Sequence, residues 1–317
     1  MRVRYFGAIG AVLTSLTLLM APASAAALPA GMKVADARIL VHFSLASGQQ
    51  PENIALEPGG AADLTFALIG QVVRVTRHGD VEPLATLPPA PAGAGAPILG
   101  VPFTGGIVRA PDGTLFVNYS TGTADLTGVW ALRRGSPPVR VAALPPTSLA
   151  NGLARAPDGT LYVADSALGV VWRVPPGGGT PALWASGPQL APSGFLGANG
   201  IKAGEGSVWV SNTDQGTLLR IPVGRGGAAG SIGTVAAGLT GIDDFTPTRG
   251  GRFLAALNTT SQLAIINPDG SHAIALTAAD GLSNPTSVAV AGRTVYVPSA
   301  AYFTQNDPNL LLASLAP

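Results

Sequence analysis

Four widely separated residues carry side-chain oxygens suited to one kind of chemistry: Glu52, Asn151, Asn199 and Asp243. Each stands at the head of a similar stretch of sequence, in register with Gly105 and Thr286 in two further stretches. Two carboxylates and two amide carbonyls converging on one point would offset a double positive charge and leave positions open for water or substrate. Calcium fits that description, taking six to eight oxygen ligands at about 2.3 to 2.6 Å. Zinc or copper would call for imidazole or thiolate. The chain has no cysteine, and its three histidines, His42, His78 and His272, occupy none of the six positions.

Such convergence needs a scaffold that brings repeated segments to one axis, and the sequence contains a repeat. Gly106-Ile-Val-Arg-Ala-Pro-Asp-Gly-Thr-Leu-Phe-Val117 is nearly duplicated by Gly152-Leu-Ala-Arg-Ala-Pro-Asp-Gly-Thr-Leu-Tyr-Val163. Each copy is a β-rich run, a Pro-Asp-Gly turn and a second β-rich run, since Asp-Gly supplies the positive φ that a tight turn requires. Looser copies start near Asn53, Gly200, Asp244 and Ser287. Third strands are read at 72–75, 170–174, 218–221 and 263–266, and fourth strands at 182–185 and 233–236. Six copies spaced about 43 to 53 residues apart predict an all-β chain, a six-bladed β-propeller of four-stranded blades. The last copy runs out after its third strand, Leu310–Leu315, while the alternating run Arg38–Ser44 stands unassigned before the first. That N-terminal strand is expected to close the ring as the outer strand of the last blade, covering what would be an exposed edge.

Composition agrees. Gly 42 and Pro 28 in 317 residues leave little room for long helices. With 47% hydrophobic and 11% charged residues the chain is not intrinsically disordered. A net charge of +1 provides no field for a phosphate backbone, so nucleic acid is not an expected partner. The absence of cysteine excludes disulfides and thiol nucleophiles. Residues 1–25 read as a signal peptide: basic Arg2 and Arg4, an apolar run from Phe6 to Met20, and Ala23-Ser24-Ala25 as a cleavage site. The expected product is a secreted or periplasmic, monomeric, single domain over 26–317 that is not held at a membrane after cleavage and acts on a small molecule.

The ring of polar residues resembles that of the six-bladed calcium-dependent hydrolase superfamily, which includes senescence marker protein/gluconolactonase, diisopropyl-fluorophosphatase and paraoxonase. The resemblance implies that Glu52 in Pro-Glu-Asn, Asn151 and Asn199 each in Asn-Gly, and Asp243 in Ile-Asp-Asp are ligands of a catalytic calcium. It also implies hydrolysis of an ester or lactone, with Asp243 as base toward water or as direct nucleophile. Two departures bear on substrate. The arginine that the gluconolactonase branch places two residues before its asparagine is Leu149 here, against a sugar lactone. The histidines near the metal in other branches have no counterpart, since His42 falls on the closing strand and His78 and His272 in turn segments. The weakly charged loops Pro89–Pro102 and Gly187–Gly197 favour an apolar substrate.

The rival reading is a non-catalytic binding propeller, similar to secreted NHL-type repeats, with a structural channel metal. The strictosidine-synthase-like branch shares the scaffold but usually works without a metal ring. Asn-Gly is also a common turn dipeptide, so plain turns are an alternative for Asn151 and Asn199. Thr286 is expected to bond nearby backbone, and Trp130, Trp172, Trp184 and Trp209 to pack in blade cores. Asp112 and Asp158 serve Pro-Asp-Gly turns. Gly224–Gly230 precedes a strand and so lacks the helix end that a phosphate-cradling loop uses.

Overall fold

Short strands rich in β-branched residues bury both faces only by stacking against neighbours of the same kind. A computed structural model, which describes residues 32–316, shows six four-stranded antiparallel sheets arranged as the blades of a β-propeller. The inner strands of the first five blades are Pro51–Leu56, Phe103–Arg109, Ala150–Arg155, Ala198–Gly204 and Ile242–Pro247. Each of these blades then proceeds outward in chain order. The sixth is composite. Ala289–Ala291, Thr294–Ser299 and Asn309–Ala316 are followed, outermost, by Lys33–His42 from the other end of the chain. Lys33 pairs with Ala316 and His42 with Asn309 across two register shifts. The closing strand was expected and is found, though it starts five residues before Arg38 and stops at His42. The expected signal over 1–25 lies outside the described residues. Among the described residues, no helix is long and apolar enough to cross a membrane.

The hydrophobic core is divided among the seams between blades. Tyr162, Val171 and Ala185 of blade three pack with Ile201, Val210 and Leu219 of blade four. Leu254 and Leu263 of blade five pack with Val295 and Leu311 of blade six. Phe66 and Val73 of blade one pack with Tyr296 and Leu310 of blade six, sealing the ring. Every blade is therefore buried on both faces by its neighbours, which explains the nearly continuous burial of second strands such as Leu161–Asp165 and Phe253–Leu257. The tryptophans pack and bond within this framework: the indole of Trp172 donates to Asp165, and that of Trp184 to the Gly227 carbonyl.

One local irregularity recurs and matters for the site. In all five long inner strands the pairing register shifts near the start, as between Ala150 and Leu153, and between Ala198 and Ile201. A bulge leaves residues unpaired and re-aims side chains. Glu52, Gly105, Asn151, Asn199 and Asp243 all fall inside it. The two Asn-Gly pairs are thus strand positions, and the turn alternative is set aside. Their glycines answer to crowding at the axis, where inner strands meet backbone to backbone. A Cβ on Gly152 would lie 2.3 Å from the Asn199 carbonyl oxygen, and one on Gly200 would lie 2.6 Å from the Asp244 Cα.

Overpacking of this kind costs about 1 to 3 kcal/mol, and more where backbone must move. Gly152→Ala is expected to lower the chemical-denaturation midpoint by an amount corresponding to at least about 1 kcal/mol. An unchanged midpoint would contradict the close approach of blades three and four.

Candidate active site

The four bulge residues with polar side chains meet at one mouth of the central channel. Glu52, Asn151, Asn199 and Asp243, all buried, line a single cavity of about 270 Å³. The two remaining register positions are not among its lining residues. Gly105 has no side chain to offer, and the Thr286 hydroxyl donates to the Pro51 carbonyl at 2.9 Å.

Hydrogen bonding leaves several oxygens of this group free. The Tyr302 hydroxyl donates to Glu52 Oε2 at 2.5 Å, and no described residue donates to Oε1. The Asn199 amide nitrogen donates to Thr213 Oγ1 at 2.8 Å, and that hydroxyl donates in turn to the Ile242 carbonyl. Asn199 is thereby oriented by its nitrogen, with its carbonyl oxygen left as an acceptor.

The electrostatics are unbalanced. Burial pushes the Glu52 carboxyl up to about 8, the Tyr302 hydrogen bond opposes this, and the charge of Asp244 adds to it. Asp243 is raised well above the usual carboxylate range, first by burial and then by Glu52 and Asp244, against the lowering influence of Asn199 and Lys202. Asp244 turns away from the cavity lining. It accepts from Lys202 Nζ at 2.6 and 2.7 Å, from Asn53 Nδ2 at 3.1 Å and from the Ser287 hydroxyl at 2.7 Å. Lys202 is therefore committed to Asp244, and among the described residues no lysine or arginine lines the cavity that Glu52 and Asp243 share. Burying a charge without a counter-charge is costly, so such a pair must take up protons or share a cation.

The donor chemistry fits a hard ion. Among the described residues, no three histidine, cysteine, aspartate or glutamate side chains gather as a metal cluster. The available set is two carboxylates and two amide carbonyls, which suits calcium and does not suit zinc or copper.

The walls are apolar. Leu99, Val101, Phe103, Leu149, Phe195 and Phe303 face the cavity. Leu99 and Val101 come from the 89–102 loop, and Phe195 from the 187–197 loop. Asp214 shapes the latter by accepting the backbone N–H groups of Ser193, Gly194, Phe195 and Leu196. Burial works to raise the Asp214 carboxyl, but these four donors overcome it and hold it below its usual range.

Sequence reasoning missed Tyr302, Thr213, Asn258 and Phe303, which also line the cavity. The available signal was the interval between Thr294–Ser299 and Asn309–Ala316, too long for an ordinary hairpin loop of two to five residues and carrying an aromatic pair. None of the histidines lines the cavity. His42 pairs with Asp307 on the outer strand of blade six, and His78 lies in a turn. His272 opens the outermost strand of blade five, where a turn was expected.

No protein-family model matches this chain, and the search of curated proteins found no match. Solved structures do match in fold. A gluconolactonase from Xanthomonas campestris is 16% identical over 91% of this chain and 98% of its own, with a TM-score of 0.59. Regucalcin from Agrobacterium tumefaciens, described as a calcium-binding protein, is 16% identical over 84% of this chain and 90% of its own, with a TM-score of 0.60. Virginiamycin B lyase from Staphylococcus aureus is 12% identical over 89% of this chain and all of its own, with a TM-score of 0.59. The architecture is thus that of the gluconolactonase and regucalcin propellers, and it also hosts lyase chemistry. At these identities the likeness establishes fold alone.

A carboxyl whose pKa is higher in the folded than in the unfolded chain takes up protons on folding between the two values. The metal-free protein is accordingly expected to lose stability as pH rises from about 4.5 to about 8, while Glu52 ionises within the buried site. Thermal melts in chelator from pH 5 to pH 9 should fall more steeply for wild type than for Glu52→Gln. Parallel curves would contradict the buried-carboxyl description.

Proposed function

We propose that this protein is an exported, monomeric, calcium-dependent hydrolase of a small ester or lactone, with Glu52, Asn151, Asn199 and Asp243 as the metal ligands. The observation that carries the reading is the buried Glu52–Asp243 pair, which shares a cavity with two amide side chains while the nearby ammonium belongs to Asp244. The gluconolactonase and regucalcin folds lend it support as analogy.

When bound, calcium would polarise the substrate carbonyl and stabilise negative charge developing on its oxygen. The chain's own residues do the rest. Asp243, in the cavity lining, accepts a proton from the attacking water as the new carbon–oxygen bond forms. It returns that proton to the leaving oxygen as the ester bond breaks. Leu149, Phe195 and Phe303 hold an apolar substrate and exclude water. Among the described residues, no guanidinium or other cationic side chain lines the cavity to receive a sugar acid. The N-terminal signal directs the chain to the periplasm or the exterior. Its near-neutral charge leaves a small molecule, and not nucleic acid, as the partner.

A panel of aryl esters and aliphatic lactones tests this proposal. Turnover should require calcium and vanish with chelator, and Asp243→Asn should reduce kcat by about 100-fold or more. If calcium raises the melting temperature while no substrate in the panel turns over, the non-catalytic NHL-like reading replaces this one. Turnover that survives both chelation and Asp243→Asn would remove these residues from the chemistry.

A further inference from the structure

The chain between Ser299 and Asn309 is held more firmly than a surface connection requires. Three of its non-glycine residues, Ala301, Gln305 and Asp307, have φ of 55°, 50° and 55°. Backbone strain of this kind persists only where surrounding contacts impose it. Here those contacts come from three blades. Asn284, itself at φ 52° and almost fully buried, accepts the Phe303 and Thr304 N–H groups at its Oδ1, each at 2.9 Å. Its Nδ2 donates to the Asn258 carbonyl of blade five at 2.9 Å. Gln50, at the head of blade one, donates to the Ala300 carbonyl at 2.9 Å. The Ala301 N–H donates to the Ser283 carbonyl at 2.8 Å. The result of this bracing is that Tyr302 points inward to Glu52 and Phe303, 63% exposed, faces the cavity rim.

We propose that Tyr302 is a positioning residue of the calcium site: its hydroxyl, fixed by the Asn284-braced loop, holds Glu52 Oε2 so that Oε1 is presented to the cation. This inference rests on the calcium reading above. A carboxylate with several rotamers is a poor ligand unless its second oxygen is fixed, and removing such an outer partner typically costs 10- to 100-fold in metal affinity. Phenylalanine at this position would fill the same space and leave Oε2 without its partner.

Calcium titration calorimetry on the full mature protein provides the test, with wild type, Tyr302→Phe, Asn284→Gly and the double variant. Glycine at 284 tolerates the left-handed backbone while removing the brace. Tyr302→Phe is expected to weaken calcium binding by 10- to 100-fold with the metal-free melting temperature nearly unchanged, and saturating calcium should restore most of the turnover. Asn284→Gly should weaken calcium binding alone but add little to Tyr302→Phe, because both act through one hydrogen bond. Wild-type affinity in Tyr302→Phe, or fully additive losses in the double variant, would overturn the inference. If wild type itself takes up no calcium, the functional reading fails first, and that outcome is distinct from either of these.

Discussion

The site depends on an uncompensated buried charge. Three carboxylates, Glu52, Asp243 and Asp244, lie close together in the axial region, where the charge of Asp244 adds to the proton affinity of Glu52 and Asp243, and one ammonium, Lys202, is bound to Asp244. Lys202 settles on both oxygens of Asp244, where Asn53 and Ser287 complete the arrangement. That side of the axis is closed and satisfied. The other side, with Glu52 and Asp243, has Tyr302 and amides for neighbours and, among the described residues, no cationic side chain in its lining, so its charge must be met by protons or a bound ion. A propeller makes this possible because six seams of apolar packing between blades, which reach inward to Ala150, Ala198 and Ile242 beside the site, offset the cost.

The oxygen donors and the walls of the cavity come from different parts of the fold. The inner-strand bulges fix the oxygen donors, repeating one backbone device around the axis. The walls come from connecting loops that differ in every blade, so apolar residues at 99, 101, 195 and 303 could accumulate without disturbing the repeat.

The sequence made the repeat legible because Pro-Asp-Gly turns and β-branched runs are local signals, and the near-identity of segments 106–117 and 152–163 set the period. The register of Glu52, Asn151, Asn199 and Asp243 followed from that period, and all four do line one cavity. The third and fourth strands of blade two, Gly128–Leu132 and Val139–Ala143, went unread. So did the outermost strands of blades one and five, Val81–Thr86 and His272–Leu276. Outer strands such as 139–143 are partly exposed and carry a weaker apolar pattern. Tyr302 was hidden for a different reason. Its hydrogen bond is to a residue 250 positions away, from a loop with left-handed backbone that no periodicity announces. Asp244 stood beside Asp243 in the sequence, yet only the three-dimensional partners Lys202, Asn53 and Ser287 separate the two carboxylates into structural and site-facing members.

Anomalous diffraction from crystals grown in calcium tests the central claim most directly. The account predicts one strong peak in the cavity with oxygens of Glu52, Asn151, Asn199 and Asp243 within about 2.3 to 2.6 Å. A cavity without such a peak at saturating calcium, or a peak lying elsewhere with these four side chains bonded only to protein and water, would contradict it.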